Sequence, residues 1–328
     1  MTTDSDTIDV TPLRPVSVPA GMPAHHVAVF LALGLLFLVA PFFFYPIFLM
    51  KVLCFALFAC AFNLLLGFGG LLSFGHAAYF GSASYISAHA AKVWGLNPEL
   101  AILAGTATAA ILGVIFGALA IRRQGIYFAM VTLAFAQMVF FFSLQAPFTG
   151  GEDGIQSVPR GTLFGLVDLR PDMNLYWVVL AIAAGGILLI YRIIHSPFGN
   201  VLKAIRENEA RSTSLGYRVN QYKLAVFVLS ATLAGLAGST KALVFQLASL
   251  TDVYWTMSGE VVLMTLLGGM GTVFGPIVGA AIIVTMQNYL ASFGDWVTIT
   301  QGVIFVVAVT LFREGIVGVI AKWIKRPL

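Results

Sequence analysis

The 328-residue chain has a composition that excludes an ordinary soluble domain. Hydrophobic residues make up 59% of it and charged residues only 10%, whereas soluble domains average about a quarter charged residues. Mean hydropathy is +0.93, and apolar runs of about 18 residues or more recur, each long enough to cross a bilayer as a helix. The net charge of +4 therefore indicates basic residues kept on one side of a membrane and no nucleic-acid surface. These features predict one all-α polytopic membrane domain.

In chain order, residues 1–26 are polar and contain several prolines, which predicts a disordered cytoplasmic tail. The transmembrane domain is predicted over 27–312 and a cytoplasmic C-terminal tail over 313–328. About ten spans are expected, with boundaries good to a few residues. The eighth is short, so we expect it to be broken or re-entrant. The spans are 27–45, 48–66, 77–94, 100–121, 126–146, 174–194, 224–246, 258–272, 274–291 and 296–312.

The basic residues set the expected orientation. If the N-terminus is inside and the spans alternate, thirteen of the 18 Lys and Arg residues fall on the cytoplasmic side. This bias follows the positive-inside rule and predicts that both termini are cytoplasmic. It also places the charged segment 195–223 in the cytoplasm and the acidic loop 147–173 outside. The five basic residues on the outer side are Lys51, Lys92, Arg160, Arg170 and Lys241.

Two glycine-rich stretches form a weak internal repeat. The first runs from Leu65-Leu66-Gly67 to Phe74-Gly75, and the second from Leu266-Leu267-Gly268 to Phe274-Gly275. Glycine-interrupted apolar segments in corresponding halves are typical of discontinuous helices around a transport site. We therefore expect the translocation path near these breaks. Its candidate residues are Asn63, Gly67, Gly70, Ser73, His76, Gln137, Gly268 and Gly271.

The polar residues among these spans allow two interpretations. Ser73 and His76 could cap the ends of a broken helix, or the break could line a path where a half-helix N-terminus favours a carboxylate. Asn63 and Gln137 could equally be interhelical hydrogen-bond partners. Glu260 opens the short eighth span, and Lys241 is a candidate partner for it, although both could instead lie at the outer interface.

The segment 195–223 predicts an amphipathic helix of about five turns. Ser196-Pro197 is a favourable helix start, and Gly216 is a suitable stop. Its exposed charges are mixed in sign, with Glu207 and Arg211 spaced as an i, i+4 pair. Because lipid-surface helices favour Lys and Arg, the mixture favours a protein partner. The candidate coupling residues are Ala204, Arg206, Glu207, Glu209, Ala210, Arg211 and Gly216.

The sequence offers little for catalysis. It contains no Gly-Lys dipeptide, so a phosphate-binding loop of the Walker type is excluded, and neither a zinc-protease motif nor a nucleophile elbow occurs. Ser73 beside His76 would be the pair for an intramembrane hydrolase, which we disfavour. An ion-coupled transporter would need acidic residues deep in the membrane, whereas Glu260 and Asp295 lie near span ends. We therefore predict that the chain is not an enzyme and that it needs neither a metal nor a cofactor.

Five stretches, in order, resemble the permease subunits of branched-chain amino acid ABC importers of the LivM type. The similarity extends from about Leu31 to Phe312. One departure concerns the coupling motif, because importers of this class place a glycine six residues after the glutamate, whereas Glu209 and Gly216 are seven apart. The five stretches are 63–81, 125–138, 149–155, 196–211 and 258–276.

The resemblance implies an inward transporter of branched-chain or other hydrophobic amino acids in the bacterial inner membrane. It also implies two cytoplasmic ATPase subunits that hydrolyse ATP, a second, related permease and a periplasmic substrate-binding protein. Within the same architecture, a permease for urea or a short-chain amide is an alternative function. An ion-coupled secondary transporter is a second alternative, from a different class.

Overall fold

The computed structural model describes residues 24–290, 299–300, 302–303, 306, 310 and 315–324. Most of the predicted N-terminal tail and of the tenth predicted span lie outside these residues. The chain divides into two compact units, one ending at Val39 and the other beginning at Ala40. Within the first unit, α1 (Ala24–Val39) is an apolar helix without acidic residues in its first turn or basic residues in its last turn.

The second unit is built from helices at the predicted positions of the second to ninth spans. Among the described residues, five helical segments, those of α2, α4, α5, α6 and α9, are long and apolar enough to cross a membrane. The expected all-α architecture is thus confirmed. The helices are α2 (Pro46–Asn63), α3 (His76–Lys92), α4 (Pro98–Ala120), α5 (Ile126–Gln145), α6 (Asp172–Ile194), α7 (Pro197–Glu207), α8 (Glu209–Ser214), α9 (Val219–Phe245), α10 (Leu250–Val253), α11 (Trp255–Gly268), α12 (Gly275–Leu290) and α13 (Gly315–Ile324).

Helix α2 is the centre of this unit. It is apolar on all sides apart from Lys51 and the terminal Asn63, a pattern typical of a fully buried helix. In an 18-residue apolar stretch of Pro46–Phe68, 89% is buried. In the corresponding stretch of α5, only 33% is buried. It packs on α6, α9, α11 and α12. A π-helical turn, Leu64–Phe68, prolongs it.

Small residues bring α3, α4 and α9 into close contact. A Cβ atom added at Gly113 of α4 would lie 2.8 Å from the Ala231 Cβ of α9. A Cβ atom at Gly238 of α9 would lie 2.0 Å from the Phe80 carbonyl oxygen of α3. Only glycine fits such contacts, so the three helices approach backbone to backbone.

The loop between α5 and α6 is tied to the end of α9 by short strands. Strand β1 (Ile155–Gln156) pairs antiparallel with β4 (Leu247–Ala248), and β2 (Thr162–Leu163) pairs with β3 (Val167–Asp168). Arg160 strengthens the attachment, because it pairs with Asp172 at 2.6 Å and donates to the Val244 carbonyl at 3.0 Å. The predicted outer loop is therefore folded onto the helices.

Lys241 does not pair with Glu260, which was one of the two interpretations that the sequence left open. The Lys241 ammonium lies 2.8 and 2.6 Å from the two carboxylate oxygens of Asp252, and both side chains are buried. The chain turns back after α9, so that α10 carries Asp252 beside Lys241. Glu260 instead forms a hydrogen bond with the Gln287 side chain, and Lys51 supplies an opposing charge in its surroundings.

The segment assigned to the C-terminal tail contains helix α13, which packs on α11 and α12. Gly315 at its start has φ +75°, and a Cβ atom there would lie 2.3 Å from the Gly269 Cα. The first turn of α13 therefore lies directly against the residues that follow α11.

Candidate functional site

The predicted coupling helix is two helices, so the expectation of one continuous helix was wrong. The Ser196 hydroxyl caps α7 by accepting from the Gly199 amide at 3.3 Å. Asn208 then adopts an extended conformation (φ −154°, ψ 100°), and its side-chain oxygen accepts from the Arg211 amide at 2.9 Å to start α8. Because asparagine caps a new helix more readily than it continues an old one, the chain breaks here. Glu207 and Arg211 therefore belong to different helices.

The two helices present a polar outer surface above a buried apolar face. Leu202 and Ile205 of α7 are buried, and α7 packs on α6, α9 and the π-helical turn. Six of the seven predicted coupling residues are exposed: Ala204, Arg206, Glu207, Ala210, Arg211 and Gly216. We call the part formed by Ala204, Glu207, Ala210 and Arg211 the α7–α8 surface.

Glu209 and Gly216 have structural roles that fix this surface in place. The Glu209 carboxylate accepts from Lys223 of α9 at 2.7 Å and from Gln124 at 3.1 Å. It thereby holds α8 against the start of α9. Gly216, with φ +89°, terminates the turn after α8, as expected for a glycine at a helix end.

The two repeated glycine stretches adopt corresponding conformations. In the first, the π-helical turn ends, Gly70 has φ +69°, and α3 begins at His76. In the second, α11 ends at Gly268, Gly271 has φ +78°, and α12 begins at Gly275. Each stretch is a break between two helices, with a left-handed glycine at the matching position.

The two breaks contact one another through Asn63. Its side-chain amide donates to the Thr272 carbonyl at 2.8 Å, and its side-chain oxygen accepts from the Gly271 amide at 3.0 Å. A Cβ atom at Gly67 would lie 2.7 Å from the Gly271 nitrogen. We call this contact between 67–70 and 269–272 the glycine junction. Helix α7 reaches it, since the Arg206 guanidinium donates to the Gly67 carbonyl.

The junction therefore brings four of the predicted path residues, Asn63, Gly67, Gly70 and Gly271, together with one predicted coupling residue. The other four lie elsewhere, and of these Gly268 packs against α12. His76 is buried between the rings of Phe62 and Tyr79, with its Nε2 atom 2.9 Å from the Ser230 hydroxyl. Ser73 accepts from the backbone amide two residues further along the chain, and Gln137 is half-buried on α5.

Sequence reasoning missed several residues that hold the site together. Thr132 of α5 accepts from the Phe74 amide at 3.1 Å and so fixes the chain just before α3. Ser230 of α9 links His76 to the Ala61 carbonyl, to which it donates at 2.5 Å. Single hydroxyls within apolar helices carry no positional signal in the sequence, so only the fold reveals these contacts.

Taken together, the described residues contain long apolar helices, two broken helices in contact and a polar helical pair that reaches the contact. These features define a multi-pass membrane permease. The family model described as "Branched-chain amino acid transport system / permease component" matches residues 45–311. The chain belongs to this permease family, and the resemblance to LivM-type subunits is confirmed.

Two curated relatives are the "High-affinity branched-chain amino acid transport system permease protein LivM" of Salmonella typhimurium and of Escherichia coli. They are 29% and 28% identical to the chain, over 68% and 71% of it and over 58% and 59% of their own lengths. The chain thus spans somewhat under three-fifths of these two relatives. The "Ribose import permease protein RbsC" of Bacillus subtilis is 26% identical over 68% of the chain and 70% of its own length. No solved structure matches the chain.

Proposed function

We propose that the chain is the membrane permease subunit of an ATP-driven importer of branched-chain or other hydrophobic amino acids in a bacterial inner membrane. The observation that carries the proposal is the direct contact of α7 with the glycine junction. Through that contact, a polar surface suited to a protein partner is joined to broken helices of the kind that surround transport sites. The family membership and the names of the LivM relatives support the substrate class.

ATP is hydrolysed, in this proposal, by two cytoplasmic ATPase subunits that dock on the α7–α8 surface. The sequence contains no Gly-Lys dipeptide and so no Walker-type loop of its own. The exposed, mixed charges of Glu207 and Arg211 suit a protein surface better than anionic lipid. A second, related permease and a periplasmic binding protein complete the importer. The folded loop 147–173 faces the binding protein.

Transport follows from movement at the glycine junction. Asn63 connects the two breaks, so displacement of one is passed to the other. Left-handed glycines at 70 and 271 allow backbone changes that other residues resist. When the ATPase subunits displace α7, the breaks shift and the path beside them opens to the other side of the membrane. Half-helix ends would meet the charged groups of the amino acid, and the apolar helices its side chain.

Uptake of radiolabelled leucine in cells lacking this gene tests the substrate class, with urea and ribose uptake measured in parallel. Loss of leucine uptake, restored by the intact gene, is expected. Intact leucine uptake with lost urea uptake would support the assignment as an importer but contradict the proposed amino acid substrate. Ribose is included because of the similarity to a ribose permease.

Recruitment of the ATPase subunits tests the α7–α8 surface. The variant Glu207→Ala/Arg211→Ala is expected to reduce both their co-purification and uptake, while leaving the permease folded. Arg192→Ala, at an exposed position near the end of α6, is the matched control. Normal recruitment by the double variant would place the docking surface elsewhere.

A further inference from the structure

We infer that Arg206 is the positioning residue that carries movement of α7 into the glycine junction. The inference rests on the proposed function, since it concerns how an ATPase-driven displacement reaches the path. The charge pattern of the segment 195–223 does not single out Arg206 among its charged neighbours, whereas the structure does.

Arg206 contacts the first glycine break and lies beside the second. Its guanidinium donates to the Gly67 carbonyl in the first break. Its aliphatic part lies over Gly70, where an added Cβ atom would be 3.0 Å from the Arg206 Cγ. At the second break, its Nη1 atom lies 3.5 Å from the position of a Cβ atom on Gly271. A side chain at Gly70 would therefore crowd the arginine stem.

The electrostatics of the junction favour a guanidinium at this point. The π-helical turn ends at Phe68, and α11 ends at Gly268. The carbonyl groups at a helix C-terminus carry partial negative charge. Two such ends meet here, and the planar guanidinium has five donors with which to approach both. A lysine ammonium is a compact point charge on a flexible stem and reproduces this geometry only in part.

The contact connects two parts that are each firmly held. On one side, Leu202 and Ile205 anchor α7, so the Arg206 backbone moves with that helix. On the other side, Asn63 binds the second break to the end of α2. A displacement of α7 must therefore either move both breaks or break the bond to Gly67. The π-helical turn is a segment in which such an adjustment is easier than in a regular helix, and π-turns are frequent at functional sites.

The experiment measures substrate transported per ATP hydrolysed by the complete importer in proteoliposomes. It compares wild type, Arg206→Gln, Arg206→Lys and the control Arg192→Gln, which removes an exposed guanidinium at the end of α6. For Arg206→Gln we expect normal co-purification of the ATPase subunits, continued ATP hydrolysis, and transport per ATP lower by about tenfold, a typical size for coupling between sites. Arg206→Lys should recover part of the loss, and Arg192→Gln should match wild type.

Two results would overturn the inference. Wild-type transport per ATP in Arg206→Gln would show that the contact transmits nothing. Loss of ATPase co-purification would show instead that Arg206 belongs to the docking surface. If Arg206→Gln fails to fold, the lysine variant decides, because an unchanged ratio there contradicts the geometric argument. Failure of the wild-type complex to transport substrate with ATP would refute the proposed function itself. This outcome differs from the two above, which concern the Arg206 variants alone.

Discussion

Breaking the buried Lys241–Asp252 pair should destabilise the protein more than removing both of its charges. The two side chains are 8% and 2% exposed, and two nitrogen–oxygen contacts of 2.8 and 2.6 Å join them. Among the described residues, the other contacts of the Asp252 carboxylate are longer, from the Ser249 amide at 3.3 Å and the Ser84 hydroxyl at 3.5 Å. These do not compensate a full charge once the lysine is removed.

The magnitude follows from the cost of an uncompensated buried charge, about 3–5 kcal/mol when one partner is removed. Lys241→Met and Asp252→Asn should each lower the free energy of unfolding by this amount. The double variant should lose less than either single variant, since replacing a whole buried pair is often nearly neutral. The assay is SDS titration of the detergent-solubilised protein, followed by circular dichroism. Single variants that lose less than about 1 kcal/mol, the range of exposed pairs, or losses that simply add in the double variant, would refute the reasoning.

Three further substitutions test the packing, two by the same titration and one by the yield of folded protein. Asn63→Ala should cost about 1–3 kcal/mol, because the half-buried Thr272 carbonyl loses its donor and the Gly271 amide loses its acceptor; no loss would mean that water replaces the amide. Gly238→Val should sharply reduce the folded yield on size exclusion, because a Cβ atom would lie 2.0 Å from the Phe80 carbonyl oxygen; a wild-type yield would contradict the close helix contact. Gly216→Ala should cost only about 1–2 kcal/mol from its left-handed backbone, because nothing lies within 4 Å of an added Cβ atom; a larger loss would indicate a missed contact.

The helices themselves were predictable because apolar length is their main determinant. Runs such as the one in α2 have no polar face, and that pattern already predicts burial on all sides. The break at Asn208 was less visible. Its neighbours Glu207 and Glu209 both favour helix, and neither Gly nor Pro marks the interruption. Only the cap that the asparagine side chain forms on Arg211 shows why the chain turns there.

The sequence predicted the two breaks of the glycine junction but not the contact between them. The repeat indicated that 65–75 and 266–275 are equivalent, but spacing cannot show that equivalent segments touch. Asn63 and Thr272 are 209 positions apart, and their contact depends on how α2, α11 and α12 pack. The same holds for Lys241, whose partner is determined by the turn after α9.

His76 shows the limit of composition-based site prediction. A histidine beside a serine in a glycine-rich break suggests chemistry, yet the ring lies 1% exposed among aromatic side chains, with Ser230 as its partner. Arg206 is the opposite case. It is one of many charges in a polar segment, and only its contact with Gly67 distinguishes it.

The most direct test of the central claim is leucine uptake into proteoliposomes that contain the permease pair, with and without the ATPase subunits. The substrate-binding protein is supplied on the outer side, and ATP is enclosed on the ATPase side. The account predicts that leucine accumulates only when both the ATPase subunits and ATP are present, and that the Glu207→Ala/Arg211→Ala variant lowers that accumulation. Accumulation driven by an ion gradient without the ATPase subunits would contradict it and identify a secondary transporter.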